Sequence, residues 1–116
     1  MGNIAVNGAL TYVNGSDSVQ RQFGGSFDQT GVPRKSTVES IGTTEENISL
    51  GDVSSVGWIC IRNLDATNFI TFGTVTNQRG MKLKPGESHP FRAANNALFV
   101  KADTAACNVG IDIFSD

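Results

Sequence analysis

From Trp58 to Phe114 the chain repeats one pattern: a short run rich in apolar residues, then a polar turn, then another run. The clearest case is Trp58-Ile59-Cys60-Ile61-Arg62-Asn63-Leu64, followed by Asp65-Ala66-Thr67-Asn68. No segment carries a helical period, and turn signals return about every 8–12 residues, which predicts an all-β chain of roughly eight to ten strands. The expected architecture is a single-domain β-sandwich of jelly-roll type. An immunoglobulin framework is excluded because Trp58 precedes both Cys60 and Cys107 instead of lying between them.

Read in order, residues 4–13 predict a strand with a weak point at Gly8, and Asn14-Gly15-Ser16-Asp17 a turn. A second strand places Val19, Arg21, Phe23, Gly25 and Phe27 on one face. Residues 1–28 are therefore an N-terminal hairpin or arm, and 35–114 the sandwich core. Pro33 opens the way to a weak strand over 35–41, with Thr37 and Glu39 on one face and Val38 on the other. A short strand is expected at 47–50. In Trp58–Leu64, apolar residues on both faces predict burial on both sides. Phe69–Phe72 is expected to return beside that strand as a hairpin. Met81 and Leu83 are expected inward, with Lys82 and Lys84 outward. Pro85-Gly86 predicts a type II turn into a return strand, where Pro90 marks an edge. Residues 97–102 and 109–113 complete the pattern, Val109, Ile111 and Ile113 alternating with Asn108, Gly110 and Asp112.

The chain has 116 residues, one domain's worth; 39% are hydrophobic and 17% charged. That is too apolar for a disordered chain. Net charge is −2 with nine scattered Lys and Arg, which argues against a nucleic-acid partner. No apolar run reaches the ~18 residues of a membrane span. The start lacks a positive, then apolar, leader pattern, and Val6 stands where myristoylation favours Ser or Thr.

Candidate chemistry is thin, and no catalytic, cofactor-binding or metal residue is expected. His89 is the one histidine and reads as a rim residue, since Ser88 beside it points the other way in an extended strand. Glu45-Glu46 and Asp65 do not make a facing carboxylate pair, because adjacent glutamates in a strand diverge. Asp103 and Asp112 lie in no Asp-rich loop of the kind calcium needs. Cys60 and Cys107 read as reduced thiols among apolar neighbours, with a disulfide as the alternative. Trp58 reads as core, although with Tyr12 it offers a sugar-stacking alternative. Gly24-Gly25 is not a phosphate loop, since Lys35-Ser36 is too distant. Asn14-Gly15-Ser16 and Asn47-Ile48-Ser49 match the short glycosylation pattern.

Residues 41–114 also carry phrasing that resembles small bacteriophage virion proteins. It lies in Ile41-Gly42-Thr43-Thr44-Glu45-Glu46, Leu50-Gly51-Asp52, Gly57-Trp58, Arg62-Asn63-Leu64-Asp65-Ala66-Thr67-Asn68, Leu83-Lys84-Pro85-Gly86-Glu87 and Val100-Lys101-Ala102-Asp103-Thr104-Ala105. The resemblance implies a non-enzymatic structural protein of the capsid cement (decoration) type. Such a protein is made in the host cytoplasm and sits as a homotrimer on the capsid exterior, bound to the major capsid protein. Residues 1–28 would then be an arm reaching a neighbour or the shell. A tail or baseplate component and a carbohydrate-binding β-sandwich module are the alternatives.

Overall fold

The computed structural model describes residues 2–116. It is all-β, with antiparallel pairing throughout, and forms two compact units: one ends at Val32 and the other runs Pro33–Asp116.

The first unit is a hairpin of two 13-residue strands, β1 (Gly2–Asn14) and β2 (Asp17–Gln29), paired in register along their whole length. Asn14 opposite Asp17 closes a two-residue loop. Within it Gly15 has φ 63° and Ser16 does not share the positive sign, the pattern of a type II′ turn, whose twist suits the flanking strands. The second glycine with a backbone role is Gly24, at φ 137°, where a Cβ would lie 2.0 Å from the Val6 carbonyl oxygen. The Gly24-Gly25 pair thus serves the ribbon's geometry.

The second unit holds two four-stranded sheets. One is ordered β3 (Arg34–Ile41), β10 (Cys107–Ser115), β5 (Val56–Asn63), β8 (Ser88–Arg92). The other is ordered β4 (Glu46–Asn47), β9 (Phe99–Ala102), β6 (Ile70–Gly73), β7 (Met81–Leu83). The pairs β3·β10, β4·β9, β5·β8 and β6·β7 are nested, as in one long hairpin with its tip at β6–β7. Wrapping that hairpin adds the β10·β5 and β9·β6 pairs. The start of the unit is tied to its end, since the Ser115 amide and hydroxyl both donate to the Pro33 carbonyl.

Both sheets contribute to one apolar core. Ile59, Ile61, Val109, Ile111 and Ile113 come from one sheet; Ile70, Phe72, Val100 and Ala102 come from the other, and all are buried. Each is a full side chain taken from water, worth roughly 1.5–3 kcal/mol for the larger ones.

Several sequence expectations are corrected. Trp58–Leu64 and Phe69–Phe72 do not form a hairpin: β5 lies between β10 and β8, and β6 belongs to the other sheet. The same holds for the pair joined by Pro85-Gly86, because β7 and β8 belong to different sheets. The turn itself is present, with Gly86 at φ 81° and the Glu87 amide donating to the Lys84 carbonyl at 3.0 Å. β5 is buried on one face: Ile59, Ile61 and Asn63 point in, Trp58 and Cys60 are half-buried, and Arg62 is exposed. Met81 is 45% exposed, as β7 is the outer strand of its sheet with a neighbour on one side only. The strand expected at 47–50 is regular only over Glu46–Asn47. Pro90 does sit on an outer strand, β8, where its missing amide leaves no gap in the pairing with β5.

Candidate functional site

Strand alternation sorts the hairpin's side chains onto two unlike faces. The pairs Ile4–Phe27, Val6–Gly25, Gly8–Phe23, Leu10–Arg21 and Tyr12–Val19 share one face. The other carries Asn3, Asn7 and Thr11 opposite Asp28, Gly24 and Gln20, with Ser26 donating to Asn3 Oδ1 at 2.8 Å. On the apolar face Leu10 is 60% exposed, Phe23 53%, Tyr12 44% and Val19 36%. Phe23 lies across Gly8, where an added Cβ would come within 2.1 Å of its ring, and Phe27 sits 3.1 Å from the corresponding point at Gly25. The rings fill the hollows left by glycine and level the face. Arg21, the charge in its middle, turns its guanidinium back to the Gln20 carbonyl at 2.9 Å. The face is thus largely apolar and partly exposed, with Arg21 as its one charge.

In the second unit the two outer strands β7 and β8 flank a trough of about 470 Å³ lined by Phe72, Met81, Leu83, Glu87 and His89. A cleft of about 260 Å³ continues it past Phe72 and Met81 to Phe91 and Ala93. His89 stacks on Phe91 at 5.7 Å and 14°, and Phe72 closes the triad, 5.7 Å from Phe91 and 6.3 Å from His89. The histidine is thus held as an aromatic plate at the sheet rim.

Three of the acidic residues singled out in the sequence, Glu45, Glu46 and Asp65, each hold a loop. Glu45 accepts hydrogen bonds from the Thr76 hydroxyl (2.7 Å), the Asn77 amide (2.9 Å) and the Arg79 guanidinium, so it pins residues 76–79. The Thr76 hydroxyl foremost, with the other donors, holds its carboxyl below the usual range. Glu46 reaches the other way and accepts from the Gly42 amide at 2.6 Å. Asp65 accepts from the amides of Asn68 (2.6 Å) and Thr67 (3.0 Å), bonds that lower its pKa in that order. Asp103 directly follows β9, whereas Asp112 lies in β10 of the other sheet and faces Arg62 at 3.8 Å. Among the described residues no group of three or more His, Cys, Asp or Glu is placed to hold a metal ion.

Both cysteines are free: Cys107 is buried and Cys60 half-buried on the outward face of β5. Burial pushes both thiols up, Asp112 adding to the shift at Cys60 while Arg62 opposes it. Trp58 is on that outward face too, and not in the core. The Arg92 guanidinium lies 5.3 Å from its ring centre, which occupies one of the faces a sugar would need. Tyr12 is on the ribbon's apolar face.

A further residue, Asn63, lies outside the candidates that the sequence singles out. Asn63 is 1% exposed and organises the corner where the chain leaves β5 for the other sheet. Its Nδ2 donates to the carbonyls of Asn68 (2.9 Å) and Leu83 (3.0 Å), and its Oδ1 accepts from the Asp65 amide (3.0 Å). An Asn on the inward face of an otherwise apolar strand was the available signal, since a buried amide must find partners.

No family model, no curated protein and no solved structure matches the chain.

Proposed function

We propose that the chain is a bacteriophage virion structural protein of the capsid cement type, a jelly-roll sandwich that acts as a homotrimer and binds the major capsid protein on the head exterior. The observation that carries this reading is the construction of the molecule. A body with one two-sheet apolar core is joined in sequence to a long ribbon whose apolar face is partly exposed. Rigid bodies with broad sticky surfaces suit assembly, where contact area does the work. The jelly-roll assignment is supported by the nested pairing, because an eight-stranded hairpin wrapped into two sheets generates two Greek keys. The phage assignment draws on the phrasing of residues 41–114.

The test is cosedimentation of the purified full chain with phage heads assembled without it, followed by electron microscopy of the decorated particle. Saturable binding with density on the outer shell is expected. Failure to cosediment at any concentration overturns the cement reading, and density on the tail or baseplate replaces it.

A further inference from the structure

The sequence holds two Asn-Gly pairs, Asn7-Gly8 and Asn14-Gly15, and both fall in the β1–β2 ribbon. An asparagine followed by glycine is open to attack on its own side chain, because no Cβ crowds the next amide nitrogen. We propose that Asn14 is a self-modification site, where the Gly15 amide nitrogen closes on the Asn14 carboxamide and water opens the ring to aspartate or isoaspartate. The proposal is independent of the virion reading above.

The step balances with water as its one co-reactant. A bond from the Gly15 nitrogen to Asn14 Cγ replaces the Cγ–Nδ2 bond, and the Gly15 amide proton leaves with Nδ2 as ammonia. Water then adds across one of the two ring C–N bonds. Opening at Cγ gives aspartate; opening at the main-chain carbonyl gives isoaspartate. No oxidant or reductant takes part.

The structure separates the two pairs. Asn14 and Gly15 are exposed, and a Cβ added at Gly15 would meet nothing within 4 Å. The ladder ends at Asn14 opposite Asp17, so the Gly15 amide lies outside it. Ring closure needs the peptide after the asparagine to turn out of extended geometry. At Asn14 that turn disturbs only the last rung. At Asn7 it breaks the ladder in its middle, where Asn7 lies opposite Gly24 and Gly8 opposite Phe23. A two-residue loop is closed by a hydrogen-bonded pair, and the two kinds of pair alternate along an antiparallel ladder. Gly8 opposite Phe23 is an even number of steps from Asn14 opposite Asp17, so the Gly8 amide is engaged in the ladder. The Phe23 ring also lies over Gly8.

The product loosens the ribbon from its tip. The Nδ2 that donates to the Tyr12 hydroxyl at 3.2 Å is lost as ammonia. A carboxylate now stands opposite Asp17, and like charges directly across a ladder are destabilising. The formal charge of −2 moves one unit further negative. Isoaspartate adds a carbon to the main chain beside a two-residue turn whose geometry fixes the register. The two-sheet body contains no Asn-Gly pair and keeps its sequence.

The experiment incubates the purified full chain at neutral and mildly alkaline pH, folded and in urea, with peptide mapping by mass spectrometry and release of ammonia as readouts. In urea both asparagines are expected to convert at similar rates. In the folded chain Asn7 is expected to slow by at least about tenfold while Asn14 slows by less than about threefold, since opening is easiest at a fraying end. Asn14→Gln, which would need a larger ring, is expected to release little ammonia when folded. Amide exchange of the converted chain is expected to quicken at the loop ends of β1 and β2 and to stay unchanged in β10. The site is overturned if folded Asn14 keeps its carboxamide while unfolded Asn14 loses it. It is equally overturned if Asn7 converts as fast as Asn14 in the folded chain, or if Asn14→Gln releases as much ammonia as the wild type. Unchanged exchange at the ribbon's tip after conversion overturns the loosening.

Discussion

The ribbon and the two-sheet body are written in the same local code and meet different fates. In β10, Val109, Ile111 and Ile113 alternate with polar or small residues, and the apolar set is buried against the opposite sheet. In β1, Ile4, Val6, Leu10 and Tyr12 alternate just as regularly, yet Leu10 and Tyr12 remain exposed. Alternation determines which side of a strand needs cover and is silent about what supplies it. In the body the cover is another part of the same chain. In the ribbon Leu10, Tyr12 and Phe23 are left partly in solvent, and that contrast separates the two regions.

The largest expected effect separates the two regions directly. Phe72→Ala removes a core ring shared by both sheets and is expected to cost the body about 3–5 kcal/mol, read as a lower urea midpoint of Trp58 fluorescence. Phe23→Ala on the ribbon is expected to leave that midpoint within about 0.5 kcal/mol. Equal losses would mean that the two regions unfold as one and would break the comparison.

Next come two positions that hold each region's backbone. Asn63→Asp keeps the size and the acceptor but removes the donor to the Asn68 and Leu83 carbonyls, so about 1–3 kcal/mol of body stability is expected to go. Gly24→Ala forces a side chain into φ 137° and against the Val6 carbonyl, with a strain of about 1–3 kcal/mol confined to the ribbon. Faster amide exchange in β1 with unchanged exchange in β10 is the expected signature. A body destabilised by Gly24→Ala would contradict it.

A smaller effect concerns pH. Glu45 and Asp65 both titrate below their ordinary values of 4.5 and 3.8 because backbone and side-chain donors favour the carboxylates. The folded state therefore binds these protons less readily than the unfolded chain. The stability they contribute is present above those ordinary values and is lost as pH falls through the lowered folded ones. Thermal midpoints of the body are expected to drop on acidification below about pH 4.5, and Glu45→Gln is expected to flatten part of that drop. The smallest effect belongs to the exposed Arg92–Asp116 pair at 2.9 Å: Asp116→Asn is expected to shift stability by less than about 1 kcal/mol.

Much of the strand content was readable from residue order. The Asn14–Asp17 turn, the alternation of β10 and the edge position of Pro90 all follow from side-chain direction or from backbone chemistry that acts over a few residues. The hairpin expected across Asp65–Asn68 was not present, for an equally physical reason. A short polar link joins two strands side by side or carries the chain over to a facing sheet, and its composition is the same in both cases. Here Asp65 caps the Thr67 and Asn68 amides while Asn63 binds Asn68 and Leu83, so the link turns out of the sheet. The apolar neighbours of Trp58 predict a core position, but strand parity puts it with Cys60 and Arg62 on the outer face, under Arg92.

By itself, the order of residues determined the all-β character, the N-terminal hairpin and the side of each strand that is apolar. These depend on the two-residue period of a strand and on turn residues that suit particular φ values. Only the tertiary structure decided that β5 lies between β10 and β8, that Asn63 anchors the corner, and that the ribbon's apolar face is exposed. Pairing between distant strands is a competition among alternatives with the same local period. It is settled by the burial and hydrogen bonding each one gains across the whole unit.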